Sequence, residues 1–164
     1  MQADQRVLIN GAAGGVGSFA VQIATALGAQ VTGVCSSRKE DFTDGLVKYD
    51  LVHDNVGNRP LRRLLRALTP TGILVTNAGG SAGHVFGPMA GILRVVIADR
   101  LVRPRLRPLP DTWPREHLLA VIEFVEAGDL TPIIDRTYPL EDTAAGLRYL
   151  EEGHARGKVV VTVT

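Results

Sequence analysis

Val7-Leu8-Ile9-Asn10-Gly11-Ala12-Ala13-Gly14-Gly15-Val16-Gly17 is the stretch that decides the fold. Apolar β-formers run into a glycine-rich turn, and Val16, Phe19, Ala20, Ile23, Ala24 and Leu27 then recur at three- and four-residue steps. That spacing predicts a helix with one apolar face. A buried strand, a tight turn and a helix start in this order make an anion site, because free backbone N–H groups and the positive end of the helix dipole converge where the turn ends. Each glycine has a task in such a turn. Gly11 lets the chain leave the strand sharply, Gly14 and Gly15 admit a pyrophosphate to the backbone, and Gly17 lets the helix pack close. After Gly28-Ala29 a second strand, Gln30 to Cys35, completes a βαβ unit of the dinucleotide-binding kind.

The chain has 164 residues, 45% of them hydrophobic and 21% charged, with a formal net charge of +1. This is enough for one domain with a real core, and it gives no global argument for nucleic acid or a membrane surface. A single cysteine, Cys35, excludes an internal disulfide and a cysteine-rich metal site. No apolar run approaches the ~20 residues of a membrane helix. The N-terminus lacks the apolar segment of a secretory signal, so a cytoplasmic location is the default expectation.

The run NGAAGGVGSFAVQIATALGAQVTGVCSSR resembles the medium-chain dehydrogenase/reductase superfamily, in particular its zinc-independent quinone oxidoreductase branch with zeta-crystallin-like proteins. The resemblance continues through Tyr49 to Asn58 and Pro132 to Leu140 and ends in Gly153 to Val161, covering almost the whole chain. It implies an α/β fold of the Rossmann type, a doubly wound and mostly parallel sheet. Family members usually carry a GroES-like substrate domain before this point, so residues 1–110 are expected to be the NAD(P)-binding domain. Residues 111–164 are then a helix-strand-helix-strand extension that would pack on that absent domain. Where relatives place a helix and a third strand after Arg38, this chain moves straight to Glu40-Asp41-Phe42, so the third, edge strand is expected to be missing. The implied activity is NAD(P)H-dependent hydride transfer to a quinone, enone or related carbonyl, with NADP favoured and NAD possible. The alternative is a dinucleotide-binding or dimerising module without catalysis of its own.

Several further segments are candidates for the site. Besides Gly11, Ala13, Gly14, Gly15, Val16 and Gly17, the loop Ser36, Ser37, Arg38, Lys39 offers hydroxyls and cations suited to a 2′-phosphate, where an NAD-type unit would offer an acid. It also reads as a plain solvated loop. Asp50 to Asn55 is predicted as a strand. Relatives use the turn at its carboxyl end beside the nicotinamide ribose, and Asn55, Val56 and Gly57 are the matching positions. Pro60 opens a helix with Leu61, Leu64, Leu65 and Leu68 inward, and Thr69 to Gly72 is expected to stop it. Ile73 to Asn77 is the next strand. The loop after it, with Gly79, Gly80 and Ser81, fits a wall against the nicotinamide or a simple flexible loop.

Val102 to Leu109 carries arginines on alternate positions for part of its length, which predicts an edge strand. In relatives this region joins two subunits, so a homodimer is expected. A helix with Pro114 in its first turn presents Leu118, Leu119, Ile122 and Val125 and ends at Gly128. The strand Ile133 to Tyr138, the helix Glu141 to Glu152 and the strand Lys158 to Thr164 follow. His53, His84, His117 and His154 are far apart and lack metal spacing, so no metal is expected, and Cys35 reads as a small core residue. Gly11, Gly15 and Gly17 also match the short-chain dehydrogenase spacing, with Asn77-Ala78-Gly79 alongside. That chemistry needs a Tyr-x-x-x-Lys pair, and four residues after Tyr49, Tyr138 and Tyr149 stand His53, Asp142 and Gly153. No catalytic residue is assignable from sequence.

Overall fold

The computed structural model describes residues 1–35, 42–76, 105–108, 114–153 and 155–163. Val7-Leu8-Ile9 forms β1 (Arg6–Asn10), buried on both faces, as an uninterrupted apolar run in a parallel sheet should be. On one side β1 pairs with β2 (Gln30–Val34), on the other with β3 (Tyr49–Asp54). β3 pairs with β4 (Leu68–Thr76), and β4 with β5 (Arg105–Pro108). The order is β2-β1-β3-β4-β5 and every pairing is parallel. This is the doubly wound order with its outermost third strand gone. Among the described residues nothing pairs with the outer edge of β2, and only turns lie between Phe42 and Lys48.

Helices cover both faces. α1 (Gly17–Ala26) closes one side, packing Ala20, Val21 and Ala24 on Val7, Ile9, Val31 and Leu51. On the other side α2 (Leu61–Ala67) sets Leu64 and Ala67 against Leu8, Val52 and Leu74. Alternate residues of β1 thus feed two separate cores, the period-2 signature of a sheet sandwiched between helices.

Three expectations need correction. Val16 is 52% exposed: it precedes α1 at the mouth of the turn instead of joining the apolar face, and Leu27, just past the helix, is exposed too. Cys35 is exposed: it follows the end of β2 at Val34, a strand whose outer edge has no partner among the described residues. Thr69 to Gly72 does not separate a helix from a strand. Leu68 already pairs with Tyr49, the next registered pair is Leu51 with Ile73, and the intervening residues bulge out of the ladder. The bulge accommodates Pro70, which has no N–H to give a ladder. Thr69 Oγ1 donates to Asp50 Oδ1 at 3.4 Å across it.

Beyond the main sheet, α3 (Arg115–Glu126) begins after Pro114, which stands just outside it. Asp111 and Thr112, which precede it, lie outside the described residues. β6 (Ile134–Pro139), a single 3₁₀ turn (Leu140–Asp142), α4 (Thr143–Glu151) and β7 (Lys158–Thr162) make a second, two-stranded parallel sheet. Gln22 ties it to α1. Its side-chain amide accepts from Thr131 N at 2.8 Å and donates to Thr131 O at 3.1 Å, in the manner of a strand pair. Four apolar residues of α3, Leu118, Leu119, Ile122 and Val125, are exposed. No described helix is long and apolar enough to cross a membrane.

Candidate functional site

The carboxyl ends of β1 and β3 lie side by side, and the turns leaving them touch. Gly11 adopts φ +83°, a conformation that side chains resist, and a Cβ there would meet Val56 Cγ2 at 2.8 Å. Its N–H donates to Val34 O at 2.9 Å, so the turn is anchored to β2 as well. Gly17 is required for a different reason. A Cβ on it would stand 2.0 Å from Gly11 O, because the first turn of α1 sits directly on the start of the glycine turn. Gly14 N donates to Gly11 O at 3.1 Å and Ser18 N to Gly14 O at 2.9 Å, folding the turn tightly into the helix start.

Gly15 faces a feature that sequence reasoning missed. A Cβ on Gly15 would lie 3.0 Å from Lys158 Cδ, 3.2 Å from Lys158 Nζ and 3.0 Å from Gly157 O. The lysine stem is laid across the turn, and its ammonium sits 5.0 Å from the centroid of the Phe19 ring. The start of β7 therefore brings a cation to a helix N-terminus that has no acidic residue in its first turn. A lone lysine so far along the chain gives no spacing signal; only the packing of β6 and β7 beside α1 reveals it.

The turn after β3 is pinned by a buried network. Asp54 is 2% exposed and Asn10 4%. Asp54 Oδ1 accepts from Asn10 Nδ2 at 2.8 Å and from Val56 N and Gly57 N at 3.1 Å each. Asn10 Nδ2 also donates to Asn58 Oδ1 at 3.1 Å, and Asn55 N donates to Asn10 O at 3.2 Å. Gly57, at φ +68°, supplies the left-handed residue this turn needs.

Among the described residues, two buried polar groups here lack a hydrogen-bond partner of ordinary geometry. Ser18 Oγ in the first turn of α1 has none, and the Asn55 carboxamide lies against His53 without a well-aligned hydrogen bond. Unpartnered groups of this sort are costly in a closed interior and belong where a ligand completes them. Burial holds the half-buried His53 imidazole below its usual range, against the opposing effects of Asn55 and the Asp54 carboxylate.

The structure thus gathers Gly11, Ala13, Gly14, Gly15, Val16 and Gly17 with Asn55, Val56 and Gly57 at one end of the sheet. Ser36, Ser37, Arg38, Lys39, Gly79, Gly80 and Ser81 lie outside the described residues, as do His84 and His154. The close turn, the lysine across it and the orphaned Ser18 and Asn55 groups fit an elongated anionic ligand such as a dinucleotide. No three His, Cys, Asp or Glu side chains converge among the described residues, so these offer no ligand set for zinc.

A parallel sheet of this order with a glycine turn at its first strand defines the Rossmann class of nucleotide-binding domains. The family profile described as zinc-binding dehydrogenase matches residues 27–161, and the chain belongs to that family, within the medium-chain dehydrogenase/reductase superfamily. It is 30% identical over 192 residues to the "NAD(P)H oxidoreductase RTN4IP1, mitochondrial" of Bos taurus, covering 97% of this chain and 48% of the relative. To the "Quinone oxidoreductase" of Pseudomonas aeruginosa it is 28% identical over 188 residues, covering 98% and 57%. The quinone oxidoreductase structure from Coxiella burnetii superposes with a TM-score of 0.80 at 26% identity, over 99% of this chain and 54% of the other. The chain spans about half the length of the curated relatives it matches.

Proposed function

We propose that this chain is the cofactor-binding part of an NADPH-dependent oxidoreductase that passes hydride to a quinone, enone or related carbonyl. The observation that carries the reading is the glycine turn between β1 and α1 with Lys158 laid across it. When bound, the nicotinamide dinucleotide supplies the hydride. The chain's own part is to hold it. Backbone N–H groups of the turn and the Lys158 ammonium neutralise the pyrophosphate, and Asn55, Val56 and Gly57 border the nicotinamide ribose. Gly79, Gly80 and Ser81 form the far wall, and Ser36, Ser37, Arg38 and Lys39 take the 2′-phosphate, favouring NADPH over NADH. Residues 1–110 form the nucleotide domain. Residues 111–164 pack on a substrate domain, which would cover the apolar residues of α3.

Calorimetric titration of both dinucleotides tests this. NADPH is expected to bind more tightly, and Arg38→Ala to reduce the preference; equal affinities or tighter NADH refute the cofactor assignment. The exposed apolar side chains of α3 favour a second reading, a dinucleotide-binding or dimerising module without catalysis of its own. A homodimer through the β5 edge is compatible with both. Hydride transfer requires donor and acceptor held at near-attack distance away from water. The chain alone is therefore expected to turn over quinones and enones poorly, and fusion to a substrate domain to raise the rate by orders of magnitude. Failure of any such fusion to reduce a panel of quinones and enones favours the second reading.

A further inference from the structure

We propose that Asp54 is a positioning residue that holds the turn Asn55 to Asn58 against the end of β1, and so sets the affinity for the nicotinamide half of the dinucleotide while leaving the adenosine half unaffected. The proposal rests on the dinucleotide reading above. Its basis is the convergence on one atom. Asp54 Oδ1 takes three donors, two from the backbone of the turn and one from the Asn10 side chain. Asn10 directly precedes Gly11, the first residue of the glycine turn. Asn10 also grips the far end of the other turn through Asn58. The two turns, from strands far apart in sequence, are therefore joined by side chains as well as by the contact of Val56 with Gly11. Val56 and Gly57 are exposed at the site while Asp54 and Asn10 are almost fully buried, so the carboxylate works from behind the surface a ligand would meet.

The bonds need an acceptor at Oδ1 and not a charge. An asparagine at position 54 keeps that oxygen. An alanine there leaves the Val56 and Gly57 N–H groups to water, and the turn loses its fixed place. The glycine turn keeps its own ties to Val34 and within itself. Loss of Asp54 should therefore be felt by the part of a ligand that lies on Asn55 to Gly57 and not by the part on Gly11 to Gly17.

Two ligands separate these parts: NADPH, and adenosine 2′-phosphate 5′-diphosphate, which lacks the nicotinamide ribose. Calorimetry on the 164-residue chain should show Asp54→Ala binding NADPH about 10-fold or more weakly, in line with the loss of two ordinary hydrogen bonds to the turn, and binding the half-ligand as the wild type does. Asp54→Asn should bind both as the wild type does. If Asp54→Ala does not fold, Asp54→Ser retains a short acceptor for the turn but cannot reach Asn10, and should show the same split at smaller size. Equal weakening toward both ligands, no weakening toward either, or Asp54→Asn behaving as Asp54→Ala would overturn the proposal. A wild type that binds neither ligand would overturn the dinucleotide reading, and the proposal with it.

Discussion

Replacing Gly17 by alanine pits two effects against each other, and the structure decides the sign. A glycine-to-alanine change in a helix is worth up to about 1 kcal/mol in favour of folding. Against it, the new Cβ would stand 2.0 Å from Gly11 O, 2.7 Å from Gly11 C and 2.8 Å from Ala12 Cα, where ordinary contact starts at 3.4 Å. All three are backbone atoms, so no side chain can rotate away. The turn and the helix start must part by roughly 1 Å, in a core packed too densely to absorb it. Overpacking of this kind costs about 3 kcal/mol when backbone has to move. The net is a loss of about 2 kcal/mol, or a fall in Tm of about 4–8 °C for a chain of this size. Gly14→Ala is the control, because its Cβ would meet Gly11 O at 3.4 Å and its φ is not positive. It should melt within about 2 °C of wild type. Paired thermal and urea unfolding of the two variants is the assay. A Gly17→Ala protein as stable as Gly14→Ala would refute the close approach of helix and turn.

Lys158→Met should weaken NADPH binding about 10-fold and flatten its salt dependence, since one charge-assisted contact is lost; titration at two ionic strengths measures both. Tyr149 OH donates to Asp135 Oδ2 at 2.7 Å, and with the Arg156 N–H this holds the Asp135 carboxyl below its ordinary pKa. That contribution is present above the unfolded carboxyl pKa and fades as pH falls through the folded one. The stability gap between Tyr149→Phe and wild type should accordingly close in acid, as denaturation at several pH values would show. His53 has the opposite arrangement. Burial depresses its pKa, so the unfolded chain takes up a proton first and stability drops as pH falls below about 6.5. An NMR midpoint for its imidazole at or above that value would contradict this.

Much of the fold was legible because β1 is apolar without interruption and the α1 stretch repeats at helical steps, both consequences of what each element buries. Strand boundaries in the described segments fell within a residue or two of the periodic runs, with β4 the exception. There the Thr-Pro-Thr-Gly run reads as a stop, but pairing of Leu68 with Tyr49 starts the ladder before the bulge. Exposure was harder to read. Cys35 looks like a core residue by type, yet it is exposed just past a strand whose outer edge has no partner among the described residues. The glycine half of the candidate site was readable because each glycine answers a local steric demand. Lys158, Asp54 and Asn10 were not singled out, because what gathers them is tertiary pairing between remote segments.

Every pairing in the five-stranded sheet is parallel, and this bears on how the chain acquires its structure. No hairpin can nucleate the sheet. Arg6 must wait for Gln30, and Val7 for Leu51, before either side of β1 is paired. Loop-closure entropy has to be met before these remote contacts return anything, so folding is expected to be slow for a chain of this size. During that interval the Val-Leu-Ile run of β1 is an unpaired apolar strand, the kind of segment that self-associates. The short connection between β2 and β3 shortens the wait, since the second partner of β1 emerges soon after the first from a ribosome or from a denatured ensemble. A grafted helix-strand insert between Cys35 and Phe42 would restore the outer strand at the cost of lengthening the loop that β1 and β3 must close.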